Sequence, residues 1–307
     1  MQTPRIAIIG AGLMGVGIAT HFARHGHSVL LRDVSAERLS DVPAIARSVL
    51  EELSAAALFE SSQTHAVLTR ITTTDALADL ADATLLIEAV PERLALKHAL
   101  YAELESVVSP EAIIASNTSG FPPEQLAQGM AYPERLLIAH FWNPPHLIPL
   151  VELVPGEKTN PACLERVRDV LQVMDLEVVL LMRAIPGFIG NRLQFAVLRE
   201  ALHIVQSGAA SPEDVDRVMR ASLGRRYGMV GPLEAADMGG LDTFLDIASH
   251  LMPTLAKDEE VLEVLRERVG QGRTGLRSGN GFYEWSEERK ARIAERRAHQ
   301  LQHALRP

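Results

Sequence analysis

The first glycine run, residues 5–17, constrains the fold of this chain more than any other stretch. It reads RIAIIGAGLMGVG, so a short run of β-branched and small apolar residues leads directly into Gly10, Gly12 and Gly15. These positions match the G-x-G-x-x-G pattern, in which the first glycine permits a tight turn and the second lets the backbone approach a pyrophosphate. The third lets a helix pack closely on the strand. The stretch therefore predicts a buried strand followed by a phosphate-binding turn.

The segment after this turn predicts a helix and a second strand. Residues 14–25 form a helical pattern that stops at Gly26, and the N-terminus of such a helix directs free N–H groups at phosphates. The strand HSVLLRD ends at Asp33, close to the ~20-residue offset of the carboxylate that binds the adenosine ribose. No arginine follows directly at Val34 or Ser35 to receive a 2′-phosphate, so we predict NAD rather than NADP. The alternative is that Asp33 only caps the next helix.

The composition predicts a cytoplasmic enzyme without a nucleic-acid, membrane or metal partner. The formal net charge of −9, with basic clustering only in the C-terminal tail, gives no support for nucleic-acid binding. No apolar stretch reaches the ~18–20 residues of a membrane span. The opening imitates a secretion signal but lacks a clean cleavage site. The single cysteine, Cys163, excludes a disulfide framework and a cysteine-based zinc site, and it fits a reducing compartment.

The alternation of strand and helix signals predicts an α/β architecture in two parts. Predicted strands after the second are AVLTRITT, ATLLIEAV, AIIASNTS, RLLIAHFWNP, LIPLVELVP and EVVLL, with helices between them. We therefore expect a doubly wound, Rossmann-type parallel sheet in an NAD-binding domain at residues 1–185. Strand signals then stop, and residues 186–307 predict an all-helical C-terminal domain with loops at SLGRRYGMVGP and GLRSGNGFYEW.

A histidine and a glutamate fall on two consecutive predicted strands. The strand LLIAH carries His140 to its C-terminal end, where ligands bind in open α/β sheets, and Glu152 lies twelve residues further on in IPLVELVP. Two strands joined by a short turn can bring these positions side by side. A carboxylate beside an imidazole fixes its tautomer and stabilises the imidazolium, as a dehydrogenase base requires. The alternative is a structural histidine.

Seven motifs occur in one order along residues 1–285: GAGLMGVGIA, SNTSG, HFWNP, LVELVPGEKT, PGFIGNRL, GPLEAADMGGLDT and SGNGFYEW. In this order and spacing they resemble the L-3-hydroxyacyl-CoA dehydrogenase family. The resemblance implies NAD as cofactor and the interconversion of a 3-hydroxyl and a 3-keto group by hydride transfer. It also implies a small-molecule substrate, either an acyl-CoA or a related hydroxy acid, and a helical domain that binds substrate and forms a homodimer.

The resemblance also assigns roles to individual residues. His140 matches the catalytic base and Glu152 its partner, while Ser119 and Asn191 match residues that contact the substrate oxygen. Positions that match cofactor contacts are Gly10, Gly12, Leu13, Met14, Gly15, Asp33, Glu92, Lys97, Asn117 and Asn143.

Several of these polar residues have a structural alternative. Glu92 and Lys97 match positions at the cofactor ribose and nicotinamide side, and Asn143 matches one beside the nicotinamide. Turn and cap chemistry is the alternative for Ser119 and Asn143. For Asn191 the alternative is a polar group at a helix N-terminus.

The chain departs from the family pattern around the predicted site. A serine that the family usually has after NTS is Gly120 here, and HFFNP has become HFWNPPH, which puts Trp142 and His146 near the site. Acyl-CoA members carry a lysine-rich helical pair that meets the CoA phosphates. The corresponding residues 41–70 contain no lysine and have two arginines against four carboxylates, so a multiply charged CoA would find little compensation there.

The segment LGRRYGMVGPLE also argues against a CoA substrate. It resembles the branch of the family that acts on free hydroxy acids, which includes the gulonate dehydrogenase/lambda-crystallin group, carnitine dehydrogenase and a pyridine-carboxylate dehydrogenase. An arginine fork binds a carboxylate bidentately, so Arg226, or its neighbour Arg225, is a candidate for the acid end of the substrate. A surface arginine pair is the alternative. We therefore favour a free hydroxy acid over an acyl-CoA.

Two other functions are compatible with a dinucleotide-binding fold. One is a non-enzymatic NAD(H)-binding protein of the crystallin type, which the presence of His140, Glu152, Ser119 and Asn191 argues against. The other is a β-hydroxyacid dehydrogenase of the 6-phosphogluconate type, which relies on a catalytic lysine after the nucleotide domain. No lysine lies between Lys158 and Lys257, a spacing that disfavours this second function.

Overall fold

The computed structural model describes residues 4–303, which divide into two compact units. The first unit ends at Gly190 and the second begins at Asn191. This division lies a few residues beyond the predicted boundary at residue 185. The assignment of cofactor binding to one part and substrate binding to the other stays a prediction.

The first unit is built on one eight-stranded sheet. Its strands are β1 (Ile6–Ile9), β2 (Val29–Arg32), β3 (Ile71–Thr74), β4 (Leu85–Glu88), β5 (Ile113–Ser116), β6 (Leu136–Phe141), β7 (Leu150–Pro155) and β8 (Glu177–Leu180). The strand order is β3-β2-β1-β4-β5-β6-β7-β8. Neighbouring strands pair in parallel except β6 and β7, which pair antiparallel. The order confirms a doubly wound sheet, whose switch point lies between β1 and β4.

Helices cover both faces of this sheet. They are α1 (Leu13–Arg24), α2 (Ala36–Ala55), α3 (Thr64–Leu68), α4 (Leu94–Val107), α5 (Pro123–Leu126) and α6 (Pro161–Gln172). Short 3₁₀ turns occupy Ser61–Gln63, Leu77–Leu80 and Pro133–Arg135. Helix α6 begins at Pro161, directly after Asn160. The Asn160 side-chain oxygen accepts a hydrogen bond from the Ala162 N–H at 3.0 Å. That combination of cap and proline is a strong helix start.

The apolar strands follow from burial of the sheet on both faces. Along β1, Ile6 and Ile8 pack into a core that contains residues of α1 and α2, while Ala7 and Ile9 pack into a second core with residues of α4. Alternate residues of a strand point to opposite faces, so a strand that is covered on both sides must be apolar throughout. The run IAII is apolar at every position because β1 lies inside the sheet and is covered on both faces.

The predicted strand AVLTRITT is only half correct. Residues 64–68 form α3, and the strand begins at Ile71. The side chain of Val67 is buried in a small cluster with Ala23 of α1 and Leu50 of α2. Packing against two helices therefore outweighs the β-propensity of the Val-Leu-Thr sequence.

The second unit consists of helices and connecting segments within the described residues. The helices are α7 (Gly190–Gln206), α8 (Pro212–Ala221), α9 (Leu223–Arg226), α10 (Pro232–Gly239), α11 (Leu241–Leu251), α12 (Glu263–Gly270) and α13 (Glu287–His303), with 3₁₀ turns at Met252–Thr254 and Leu276–Ser278. This confirms the helical character predicted for the C-terminal part. The predicted loop at residues 222–232 contains the single helical turn α9, because the Ser222 carbonyl accepts the N–H groups of Arg225 and Arg226 at 3.1 Å. Across the described part of the chain, every helix is too short or too polar to cross a bilayer.

Candidate active site

The turn after β1 is built from glycines that serve separate purposes. Gly10 has a φ of +108°, which L side chains rarely adopt, and its N–H donates to the Arg32 carbonyl at 2.8 Å. A Cβ on Gly15 would lie 1.8 Å from the Gly10 carbonyl oxygen, so only glycine allows α1 to pack this closely. At Gly12 nothing lies within 4 Å of an added Cβ. The turn thus leaves open space at the N-terminus of α1, where a pyrophosphate binds in such folds.

Asp33 ties this turn to the end of β2. Its carboxylate is 5% exposed, Oδ2 accepts the Ala11 N–H at 2.7 Å, and Oδ1 accepts the Ser35 N–H at 2.9 Å. Helix α2 is capped by Ser35, whose hydroxyl accepts the Arg38 N–H at 3.3 Å. Asp33 is therefore not the helix cap that the sequence left open as an alternative. Arg38 also places its Nη1 3.6 Å from Asp33 Oδ2, a neighbour that the sequence analysis missed.

A cleft of about 700 Å³ runs along the carboxyl ends of β1, β2 and β4, and its lining includes Gly10, Asp33 and Val90. The first turn of α1 contains no acidic residue. It begins with Leu13, whose side chain is 73% exposed, followed by the half-buried Met14. The open N-terminus, the positive φ at the turn and the carboxylate at the cleft wall are together suited to the pyrophosphate and ribose of a dinucleotide.

The last residue of β4, Glu88, carries a fully hydrogen-bonded carboxylate. Glu88 is buried; its Oε1 accepts the Val90 N–H at 2.9 Å and the Lys97 ammonium at 2.6 Å, and its Oε2 accepts the Tyr101 and Ser116 hydroxyls at 2.7 and 2.6 Å. Burial and then the charge of Glu88 raise the pKa of Tyr101 well above its ordinary value, which keeps its hydroxyl a donor. All lone-pair directions of this carboxylate are used, so the cluster is a rigid support.

Glu92 connects this buried cluster to the turn that carries Ser119. Its Oε1 accepts the Thr118 hydroxyl and the N–H groups of Ser119 and Gly120, the latter two at 3.1 and 3.2 Å. Its Oε2 lies 3.3 Å from Nζ of Lys97, whose side chain is 1% exposed. Both residues therefore hold the Ser119 turn in place. Their predicted contacts with the cofactor stay predictions.

The two predicted asparagines of the first unit occupy different settings. The Asn117 side-chain oxygen accepts the Phe141 N–H at 2.8 Å, and the Asn117 backbone N–H donates to the Glu88 carbonyl at 2.7 Å. Asn117 therefore joins the ends of β4, β5 and β6. Asn143 is exposed, two residues beyond β6, and precedes the cis peptide bond to Pro144. Their cofactor roles also stay predictions.

The antiparallel pair β6–β7 brings His140 and Glu152 together, as the spacing predicts. The two are direct register partners, and the His140 Nδ1–H donates to Glu152 Oε2 at 3.0 Å. Their side chains are 6% and 1% exposed. Glu152 Oε1 accepts the N–H groups of Ile189 and Gly190 at 2.8 and 3.0 Å. This arrangement holds the imidazole in the tautomer whose Nε2 can accept a proton.

The charge state of Glu152 follows from competing effects. Burial raises the pKa of Glu152, but hydrogen bonds from His140, the Gly190 and Ile189 amides and the Trp142 indole outweigh burial and lower it to about 2. Glu152 is therefore a carboxylate at neutral pH. A buried anion beside the imidazole stabilises the positive charge that forms when His140 takes a proton.

Two aromatic rings flank the imidazole. Trp142 lies with its ring centroid 5.7 Å from that of His140, and Phe188 meets His140 edge-on at 5.4 Å. The Trp142 indole N–H donates to Glu152 Oε2 at 3.2 Å. Trp142 thus lies beside the histidine–glutamate pair, as the departure from the family pattern predicts.

His146 points to α2 instead of to the histidine–glutamate pair. Its Nε2–H donates to Glu52 Oε2 on α2 at 2.9 Å. The preceding Pro145 packs so closely on α1 that a Cβ on Gly17 would lie 2.6 Å from its Cγ. This close contact draws the loop after β6 over α1 and directs His146 toward α2.

The remaining predicted residues belong to the second unit. Asn191 is the second residue of α7 and is half-buried; Arg226 is the last residue of α9 and is exposed, as is Arg225. Their predicted substrate roles stay predictions.

Sequence reasoning missed Glu88, although a signal for it exists. It is an acidic residue at the end of an otherwise apolar strand, and it precedes the first lysine of the chain, Lys97. A carboxylate on a strand that is covered on both faces needs a buried donor. In a chain with few lysines, Lys97 was the available cation.

A doubly wound sheet, a glycine turn with an acidic partner, and a buried histidine–glutamate pair at the same edge of the sheet define a dinucleotide-dependent oxidoreductase. The chain belongs to the 3-hydroxyacyl-CoA dehydrogenase family: residues 5–184 match the family's NAD binding domain and residues 187–285 its C-terminal domain. It is an NAD-dependent dehydrogenase that acts on CH–OH groups, as the resemblance implies.

Comparison with individual proteins adds both acyl-CoA and free-acid relatives. The chain is 34% identical over 300 residues to 5-formyl-3-hydroxy-2-methylpyridine 4-carboxylate 5-dehydrogenase of Mesorhizobium japonicum, covering 96% of this chain and 95% of the relative. It is 37% identical over 283 residues to 3-hydroxybutyryl-CoA dehydrogenase of Bradyrhizobium diazoefficiens, and this match covers 92% of this chain and 95% of the relative. The crystal structure of a 5-formyl-3-hydroxy-2-methylpyridine 4-carboxylic acid 5-dehydrogenase, an NAD+-dependent dismutase, superposes with a TM-score of 0.90 at 32% identity. That superposition covers 98% of this chain and 97% of the other.

Proposed function

We propose that this enzyme interconverts the hydroxyl and keto forms of a free hydroxy carboxylate, with His140 as the acid–base residue. The observation that carries the proposal is the His140–Glu152 pair, which is buried, in direct register and closed by a 3.0 Å hydrogen bond. A base of this kind must be neutral before it accepts the alcohol proton and stable as a cation afterwards. The carboxylate of Glu152 supports the second requirement, because it stabilises the imidazolium, and its hydrogen bond from Nδ1–H makes Nε2 the atom that accepts the proton.

The cofactor residues follow the same proposal. NAD, when bound, accepts the hydride that leaves the carbinol carbon. Gly10, Gly12 and the N-terminus of α1 would hold its pyrophosphate, and Asp33 would accept from the ribose hydroxyls. Two further polar residues of the first unit, Glu92 and Asn143, are assigned to the ribose and nicotinamide end by family motif.

The chain's own groups divide the remaining work. His140 Nε2 takes the hydroxyl proton during oxidation and returns it during reduction. Throughout, Nδ1 keeps its own proton and donates a hydrogen bond to Glu152. We assign Ser119 and Asn191 to the substrate oxygen. The rigid turn that Glu92 builds around Ser119 supports this assignment, because a hydroxyl that orients substrate must itself be fixed.

The choice of a free acid over an acyl-CoA has three supports. Residues 41–70 hold no lysine and more carboxylates than arginines, which is unfavourable for CoA phosphates. Arg226 is exposed at the end of α9 and offers a fork for a carboxylate. The name of the Mesorhizobium relative, which this chain matches over nearly its full length, is that of a carboxylate dehydrogenase.

We further propose a cytoplasmic homodimer. A cytoplasmic location is supported by the cysteine count, because a chain whose single cysteine is Cys163 has no disulfide framework and fits a reducing compartment. Burial raises the pKa of this thiol, which disfavours the reactive thiolate. A second copy as partner is supported by large apolar residues that stay exposed on α7 and α11, including Phe195 and Leu245. Light scattering on the purified protein tests the dimer, since a monomeric mass would contradict it.

A substrate panel tests the proposed reaction. Purified enzyme with NAD is offered 3-hydroxybutyryl-CoA, free 3-hydroxybutyrate, carnitine, gulonate and aromatic carbinol carboxylates, and NADH fluorescence is followed. We expect the highest kcat/KM with a free acid. A higher value for the CoA thioester would overturn the substrate class. NADH binding without turnover of any compound would favour the crystallin-type alternative.

A further inference from the structure

Trp142 shares one oxygen of Glu152 with His140. His140 is the second-last residue of β6, and Trp142 directly follows the strand. The His140 Nδ1–H and the Trp142 indole N–H both donate to Oε2, at 3.0 and 3.2 Å. The family pattern HFFNP has phenylalanine where this chain has Trp142, and phenylalanine has no donor.

The other oxygen of Glu152 is held from a different part of the chain. Oε1 accepts the backbone N–H groups of Ile189 and Gly190 at 2.8 and 3.0 Å. The carboxylate therefore has four donors, two on each oxygen, and its side chain is 1% exposed. His140 is the titratable group among these donors, since the other three are an indole and two amides.

The indole ring is fixed by contact with the same glycine. A Cβ on Gly190 would lie 2.2 Å from the Cζ2 atom of Trp142, so the ring rests directly on the glycine backbone whose N–H holds Oε1. Any side chain at residue 190 would displace the indole and, with it, the hydrogen bond to Oε2. Trp142 and Gly190 thus form one support that contacts both oxygens of the carboxylate.

We propose that Trp142 is a positioning residue of the His140–Glu152 pair: its indole N–H and its packing on Gly190 fix the plane of the Glu152 carboxylate so that Oε2 stays aimed at His140 Nδ1. Without the indole donor, Oε2 has a single partner and the carboxylate can rotate about its two amide contacts. The imidazole then loses its fixed orientation toward substrate. The inference rests on the proposed role of His140 as acid–base residue.

The test removes the indole N–H with little change of shape. The chain has two tryptophans, Trp142 and Trp285, and Trp285 lies in the second unit. In a Trp285→Phe background, which serves as the matched control, Trp142 is replaced biosynthetically by benzothienylalanine, which has sulfur in place of the N–H. Trp142→Phe is made in parallel. Each protein is assayed for kcat, KM and NADH affinity, and the Glu152 carboxyl is titrated by NMR with ¹³C-labelled glutamate.

We expect kcat to fall about 10-fold in both Trp142 variants while KM and NADH affinity stay within about 2-fold, because orientation and not binding is lost. We also expect the pKa of Glu152 to rise, since a donor to the ionised carboxylate is gone. Unchanged kcat and an unchanged Glu152 titration, with only a lower Tm, would overturn the proposal and make Trp142 a packing residue.

The proposed function fails on a different observation. If His140→Ala kept near-normal turnover, the acid–base assignment would be wrong whatever Trp142 does. The NMR titration needs no turnover, so it reports on the Trp142–Glu152 contact in either case. A normal Glu152 titration together with an inactive His140→Ala enzyme would reject only the role of Trp142.

Discussion

Glu152 stands directly opposite His140 across β6 and β7, and its Oε2 receives the His140 Nδ1–H at 3.0 Å. The antiparallel reversal at β7 produces this relationship, because a parallel neighbour would need a long crossover between the two residues. The short loop between β6 and β7 therefore fixes the histidine and its carboxylate on adjacent strands. Backbone hydrogen bonds of the sheet, and not loop flexibility, set the distance between them.

Replacement of Glu152 by Gln tests the carboxylate in this pair. Glutamine keeps the shape but removes the charge, and its NH₂ group must face either the Nδ1–H or the backbone amides, all of which are donors. We expect kcat to fall about 100-fold or more, with NADH affinity unchanged. Steady-state kinetics checks this, with Glu177→Gln on the exposed edge strand β8 as the control. A loss of less than about 3-fold would contradict the role of Glu152.

The depressed pKa of Glu152 also predicts how stability depends on pH. Its folded-state pKa of about 2 lies below the ordinary 4.5, so its contribution is complete above about pH 4.5 and is lost as the pH falls through about 2. The shift corresponds to about 3 kcal/mol. Urea unfolding across pH 2 to 6 should show a steeper acid loss in the wild type than in Glu152→Gln. If the free energy of unfolding fell equally with pH in both proteins, Glu152 would not be the source of this pH dependence.

Two substitutions in the glycine turn distinguish an effect on folding from an effect on cofactor binding. Gly15→Ala forces a Cβ within 1.8 Å of the Gly10 carbonyl, and we expect it to destabilise the fold by about 1–3 kcal/mol. Gly12→Ala meets no atom within 4 Å, so its Tm should stay near that of the wild type. Its NADH affinity should fall about 10-fold, because the methyl group occupies the pyrophosphate approach. Thermal melts and NADH fluorescence titration check both; normal NADH affinity in Gly12→Ala would contradict the site.

The proposed carboxylate contact predicts a substrate-dependent effect at α9. Arg226→Ala should raise KM for a free hydroxy acid about 10-fold or more, since a bidentate charge-assisted contact is lost. An acyl-CoA substrate should be little affected. Arg225→Ala identifies which member of the pair is used, and Arg217→Ala, an exposed arginine paired with Asp214, is the control. The reverse pattern, with only the acyl-CoA affected, would remove the preference for a free acid.

Much of the fold and part of the site could be predicted because the determining signals are local. Gly10, Gly12 and Gly15 follow one strand within a few residues, and the spacing of His140 and Glu152 suits a two-strand connection. The helical second part was predictable from the loss of strand signals after residue 186. These features depend on neighbouring positions in the chain.

What the sequence did not reveal depends on contacts between distant segments. Val67 is helical because it packs on two other helices, and His146 turns to Glu52 because its loop is drawn over α1. The link from Lys97 through Glu92 to the Ser119 turn joins the segments after β4 and β5. Such cross-links become visible only when the sheet order is known.

The turnover of His140→Ala with the best substrate from the panel tests the acid–base role of His140 directly. Loss of the base should reduce kcat by about 100- to 10,000-fold, while NADH affinity stays within about 2-fold of the wild type. His65→Ala, at an exposed position on α3, is the control and should be fully active. Near-wild-type kcat in His140→Ala would contradict the assignment of His140 as the acid–base residue.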